Sequence, residues 1–259
     1  MKEVIRLEQV SYRREQKEIL GNINWTVNKG EHWAVLGLNG SGKTTILNMI
    51  NGYLWPTQGQ VSVLGELYGT VDLREMRKQI GWVSSSLQEK LYTNDKTQNI
   101  VISGKHASIG LYEKTSEEEM DKALSLMAQL GCSHLADRTY QSCSQGEKQK
   151  LLIARALMAS PKLLILDEAT NGLDFISREA LLSSVQQLAN QSDAPTILYV
   201  THHIEEIVPV LNRTMLIRRG EVFAHGPSQE VLQKETLSDF FEMPVDVHWQ
   251  NKRAWLTLS

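Results

Sequence analysis

Residues 33–50 constrain the chain most. A short apolar run, Trp33 to Leu36, leads through Gly37-Leu38-Asn39-Gly40-Ser41-Gly42-Lys43-Thr44 into Ile46, Leu47, Ile50 and Leu54, which recur at three- and four-residue spacing. Helix periodicity succeeds a glycine-rich turn, and Gly52 and Pro56 close the helix. Two glycines separated by four residues, then lysine and a hydroxyl residue, form a phosphate-cradling pattern when they lie between a strand and a helix. Glycines let backbone N–H groups turn inward, and the helix N-terminus adds its dipole at the same spot. Lys43 then reaches β- and γ-phosphates, and Thr44 offers a hydroxyl to Mg²⁺. Asn39, Gly40, Ser41, Gly42 and Thr45 complete the candidate phosphate contacts.

The chain around this loop reads as α/β. Val4-Ile5, Ile19-Leu20 and Ile23 to Val27 are strand-like, punctuated by Gly21 and a Lys29-Gly30 turn, and two more strand-like runs lie at Gln60 to Leu64 and Ile80 to Val83. From about Leu87 to Ala159 the pattern is mostly helical. Ser116 and Glu119 make a capping-box signature ahead of an apolar stripe of Met120, Ala123, Leu124, Met127 and Leu130, and Glu147 to Ala159 reads as a second helix stopped by Pro161. The continuous apolar runs Leu163 to Leu166 and Thr196 to Val200 flank a helical stretch, Arg178 to Ala189, and suit strands buried on both faces of a mostly parallel sheet. Residues 214–225 read as a hairpin around Gly220, residues 228–243 as short helices, and the tail with Trp249 and Trp255 shows no clear pattern.

Asp167-Glu168 ends the run that starts at Leu163. Open parallel sheets bind ligands beyond the carboxyl ends of their strands, so this pair and the phosphate loop can converge. Asp167 is placed to hold Mg²⁺ through water, and Glu168 to polarise an attacking water. His202, at the end of the strand that starts at Thr196, can bond a γ-phosphate or orient the water; on chemistry alone its neighbour His203 is an equal candidate.

Composition narrows the class. In 259 residues there are 27 Lys+Arg against 30 Asp+Glu, a slightly acidic balance that argues against nucleic acid as a general partner. Charged residues interrupt every apolar run well before the roughly 18 residues a membrane-spanning helix needs, and the charged start Met1 to Arg6 does not match a secretory signal. A cytoplasmic chain is expected. Cys132 and Cys143 fit neither a zinc pair nor a disulfide framework and are expected to be reduced thiols.

Cys143-Ser144-Gln145-Gly146-Glu147, followed by Ile153-Ala154-Arg155-Ala156-Leu157 and standing just ahead of Leu163 to Glu168, resembles the Leu-Ser-Gly-Gly-Gln signature of the ATP-binding cassette family. The resemblance covers residues 3–226. It implies a P-loop NTPase core with a mostly parallel sheet, an N-terminal antiparallel β subdomain and an inserted helical subdomain. The boundaries it suggests are 1–87 for the first part of the core, 88–159 for the helical subdomain with the signature, 160–226 for the second part of the core and 227–259 for C-terminal helices and tail.

Cys143, Gln145 and Glu147 depart from the family pattern, with Gln145 adding bulk and Glu147 negative charge, whereas Ser144 and Gly146 are retained. The resemblance implies that these two contact the γ-phosphate of ATP held by another subunit. Asn171 to Asp174 resembles the loop that crosses between subunits, with Asp174 as its acidic residue, and Thr201-His202 resembles the switch-histidine motif, which selects His202 over His203. Ile80 to Ser85 resembles the strand before the family's glutamine loop, with Ser85 in the glutamine's place and Gln88 as the replacement contact to Mg²⁺ and the water. Tyr12 resembles the aromatic platform for adenine, though it stands 31 residues before Lys43 and Arg14 offers an alternative plane.

The resemblance further implies a Mg-dependent ATPase that works as a homodimer or with a related ATP-binding subunit. It would power transport through separate integral membrane subunits, from the cytoplasmic face. The alternatives are an ATPase of the same superfamily acting on ribosomes or nucleic acid, and an ATP-gated interaction module with weak turnover. Glu31 to Ala34 and Gly81 to Gln88 are similar to a poorly characterised branch near the molybdenum-associated cassettes.

Overall fold

Alternation of apolar and polar side chains sets the first 28 residues. Val4, Ile5, Leu7 and Val10 face Leu20, Ile23, Trp25 and Val27 in a buried layer. The separate strand-like runs of the sequence therefore belong to two long antiparallel strands, closed by a two-residue turn in which Glu15 and Gln16 both take positive φ. The computed structural model describes residues 2–84, 91–106, 110–111 and 114–259. Along the chain, β1 (Glu3–Arg14), β2 (Lys17–Asn28), β3 (Trp33–Leu36), α1 (Lys43–Ile50), β4 (Gln58–Val63), β5 (Glu66–Leu67) and α2 (Leu73–Arg77) come first. They are followed by β6 (Ile80–Val83), α3 (Thr97–Ser103), α4 (Glu117–Gln129), α5 (Gln145–Leu157), β7 (Leu163–Asp167), α6 (Phe175–Ala189) and β8 (Thr196–Thr201). The chain ends with β9 (Arg213–Arg218), β10 (Glu221–Pro227), α7 (Ser228–Val231), α8 (Lys234–Phe241), β11 (Val245–Gln250) and β12 (Arg253–Leu258).

Two compact units divide these elements. Residues 1–77 with 196–259 form the first, and residues 78–195 the second. In the first unit, β2-β1-β4-β5 make an antiparallel sheet, and β10-β9-β3-β8 a second sheet in which β3 runs parallel to both β8 and β9. Val35, Leu36, Val200, Met215 and Leu216 are buried there, and Trp25 of β2 meets Trp33 of β3 edge to face at 5.5 Å. Helix α1 ends at Ile50, short of Leu54, because Asn51 turns its side-chain amide back onto the Leu47 carbonyl.

In the second unit β6 and β7 pair in parallel, Ile80 with Leu163 through Val83 with Leu166. The helices α3, α4 and α5 bury Ile100 to Ile102, Ala123, Met127 and Leu151 to Ala154 against one another. The Ser116–Glu119 capping box is formed at the start of α4. The hairpin around Gly220 and the helices after residue 227 stand where the sequence pattern places them.

The tail differs from its reading. Residues 245–258 form a regular hairpin, β11 against β12, in which Gln250 pairs with Arg253 and Asn251 and Lys252 turn at φ 51° and 62°. Asparagine tolerates that left-handed geometry better than most residues, and this replaces the glycine signal that would have announced the turn.

Candidate functional site

In the first unit the phosphate loop is built around α1. The first hydrogen bond of the helix runs from the Ile46 N–H to the Gly42 carbonyl. The N–H groups of its first turn thus have no acceptor within the helix, and the positive dipole end faces the loop. Gly42 caps the helix at φ 108°, and a Cβ there would stand 2.6 Å from the Leu20 side chain, so only glycine fits both the backbone and the space. Lys43 is buried, and its ammonium donates to the carbonyls of Gly37 at 2.6 Å and Leu38 at 3.2 Å. Among the described residues the buried Ser41 hydroxyl has no hydrogen-bond partner, whereas Asn39, Gly40 and Thr44 are exposed and Thr45 is half-buried. A cation fixed inside the loop, an unpaired buried hydroxyl and a helix N-terminus together fit a polyanionic phosphate group.

Neighbouring strands tie into this loop. The Gly220 N–H donates to the Ser41 carbonyl and the Gly21 N–H to the Gly220 carbonyl, so the β9–β10 turn stitches the loop to β2. Tyr12 pairs with Leu20 across the β1–β2 register, on the strand pair whose Leu20 packs at Gly42. From the other side, the Gly37 N–H donates to the Thr201 carbonyl at 3.4 Å. Thr201 is the last residue of β8, which sets His202 one residue beyond the start of the loop's hydrogen-bonded frame. His202 is half-buried and His203 exposed, with their rings 4.1 Å apart.

The second unit carries the acidic and signature residues. Asp167 ends β7 beside the end of β6, and Glu168 follows at φ 50°, a left-handed conformation that costs a glutamate about 1–3 kcal/mol unless its surroundings hold it. Both carboxylates are half-buried. Gln88 and Ser85 lie outside the described residues. Among the described residues no group of three or more His, Cys, Asp or Glu gathers as a metal site.

Ser144 caps α5. Its hydroxyl accepts from the Glu147 N–H at 3.3 Å, and the Glu147 carboxylate accepts from the Ser144 N–H at 2.7 Å. The charge that departs from the signature is therefore engaged locally. Burial pushes the Glu147 carboxyl up, but the Ser144 hydrogen bonds and the nearby Arg138 and His134 outweigh it and hold it below the ordinary glutamate range.

Gly146 is buried in contact with α6, where an added Cβ would lie 3.0 Å from the Ser177 Cβ. Ser177 in turn donates its N–H and hydroxyl to Asp174, the cap of α6. Ser144, Gly146 and Asp174 are thus assembled through the facing N-termini of α5 and α6. Cys132 and Cys143 are both free and buried, and burial pushes the Cys132 thiol up to about 11, which leaves it an uncharged packing group.

The ABC transporter family profile matches residues 20–171. Over 255 residues the chain is 50% identical to YlmA, an uncharacterised ABC transporter ATP-binding protein of Bacillus subtilis, covering 98% of this chain and 97% of that one. It is 30% identical to the molybdate import ATP-binding protein MolC of Haemophilus influenzae, over 95% of this chain and 91% of the relative. Among solved structures it is similar to a dimeric ATP-binding cassette in a post-hydrolysis state bound to ADP and phosphate, at 26% identity and a TM-score of 0.72, over 86% of this chain and 98% of that one.

Proposed function

The chain belongs to the ABC transporter family as an ATP-binding subunit with the P-loop NTPase fold, and we propose that it hydrolyses Mg-ATP to drive transport through separate membrane subunits. The observation that carries this reading is the loop at Lys43, where a buried ammonium, an unpartnered Ser41 hydroxyl and the N-terminus of α1 form one cradle for phosphate oxygens. Lys43 and the N–H groups of Gly40 to Thr45 would hold the β- and γ-phosphates, and Tyr12 would carry the adenine on its ring face. Thr44, Asp167 and Gln88 would hold Mg²⁺, which when bound neutralises charge between the terminal phosphates.

Glu168 takes the water-polarising role in this reading. It accepts a hydrogen bond from water so that a lone pair is presented to the γ-phosphorus, while His202 donates to a γ-phosphate oxygen and stabilises the charge developing there. The left-handed backbone at Glu168 supports that role, because strain at a carboxylate of this kind is retained where geometry matters more than stability. Ser144 and Gly146 would reach the γ-phosphate bound by a second copy or a related subunit, with Asp174 at the crossing between them. Closure on ATP and reopening after cleavage then convert hydrolysis into motion.

No helix among the described residues is long and apolar enough to cross a membrane, which supports membrane partners supplied by other chains on whose cytoplasmic face this subunit sits. The likeness to the molybdate import protein supports an import system of the molybdenum-associated kind. Selectivity there lies in the membrane and solute-binding partners, so turnover by this chain is expected to be indifferent to the transported species.

Steady-state phosphate release by the purified protein and by Glu168→Gln tests the reading. Wild-type protein should release phosphate, and the substitution should slow it by about 10²–10³-fold with ATP affinity kept. Equal release from both would overturn the role of Glu168, and none from either would leave a nucleotide-gated binding module.

A further inference from the structure

The turn that follows His202 is held from two sides. Inside, Glu206 is 1% exposed and accepts from the Thr201 hydroxyl at 2.6 Å and from the Tyr199 hydroxyl at 3.2 Å. The same Thr201 hydroxyl accepts from the His203 N–H at 3.0 Å, so the backbone just after His202 is tied to the residue just before it. Outside, the C-terminal hairpin closes the turn. Arg253, the first residue of β12, donates two guanidinium N–H groups to the Glu205 carbonyl, through Nε at 3.0 Å and through Nη2, and stacks at 5.3 Å over Trp255. Strand β12 packs on the short helical turn Ile204–Glu206 along its length. A planar fork held by an aromatic neighbour is a stiffer clamp than a lysine would be.

We propose that Arg253 is a positioning residue for ATP turnover: through the Glu205 carbonyl, the C-terminal hairpin fixes the turn that aims His202. This rests on the ATPase reading above and adds to it a control element that lies outside the cassette motifs. The bonds of Arg253 to the Glu205 carbonyl act on the turn that follows His202, a residue assigned above to the γ-phosphate and not to holding the nucleotide. Its influence is therefore expected in the rate of cleavage and not in nucleotide affinity. Anything that lifts the hairpin from the Glu205 carbonyl would slow turnover while leaving ATP bound.

The test is a double-mutant cycle in the full chain, with phosphate release normalised to bound nucleotide so that unfolded protein drops out. Arg253→Ala should lower kcat about ten-fold, as a small misplacement of a catalytic group does, with KM for ATP within about two-fold. Arg253→Lys, which keeps the charge but not the paired donors, should fall between wild type and Arg253→Ala. In a His202→Ala background the Arg253→Ala change should cost no more than about two-fold further, because the group it positions has gone. An unchanged kcat in Arg253→Ala, a loss of the same size in both backgrounds, or a loss confined to KM would each overturn the proposal. A wild-type chain without turnover would overturn the ATPase reading itself and this role with it, which separates the two failures.

Discussion

Gly42 carries two constraints that reinforce each other. Its φ of 108° excludes a β-carbon on backbone grounds, and Leu20 excludes one on packing grounds at 2.6 Å. Gly42→Ala is expected to destabilise the fold by more than about 1 kcal/mol, read as a lower denaturant midpoint at unchanged slope, and to weaken ATP binding in the protein that remains folded. An unchanged midpoint would contradict the tight packing at Leu20. This loop is legible from sequence because its logic is local: glycines, lysine and hydroxyl succeed one another between a strand and a helix. The burial of the Ser41 hydroxyl, the left-handed backbone at Glu168 and the grip of Arg253 on the Glu205 carbonyl are not legible, since each is created by residues distant in the chain or by a conformation that composition does not encode.

Helix α5 shows how one residue pattern can be read at two levels. Ser116 and Glu119 announce a capping box, and Ser144 and Glu147 have the same spacing, yet beside the signature Glu147 reads first as an added charge. Its carboxyl is held below the ordinary glutamate range, so ionised Glu147 stabilises the folded state above about pH 4.3, and that contribution is lost as pH falls through its lowered folded value. Glu147→Gln should therefore be less stable than wild type at pH 7, by about 0.5–1 kcal/mol, and the gap should close as the pH is lowered below about 4. Denaturant midpoints for both proteins across that range measure it; a gap that persists or widens in acid would contradict the charged cap. The β11–β12 hairpin escapes the sequence reading for a different reason. Its turn, Asn251-Lys252, has no glycine, and its aromatic residues Trp249 and Trp255 carry no periodicity long enough to distinguish strand from coil.

Taken as a whole, the chain distributes its chemistry between two units. The first carries the phosphate loop, His202 and the C-terminal hairpin; the second carries the carboxylates at 167 and 168 and the helix capped by Ser144. All of this depends on the cradle at Lys43 binding Mg-ATP. Equilibrium titration of folded wild-type protein with ATP, with Mg²⁺ and in its absence, beside Lys43→Ala, tests that most directly. The account predicts saturable binding that is weakened when Mg²⁺ is withheld and at least about 100-fold weaker in Lys43→Ala, the loss of a charge-assisted contact to phosphate. Folded protein that shows no saturable binding, or a Lys43→Ala variant that binds as tightly as wild type, would contradict it.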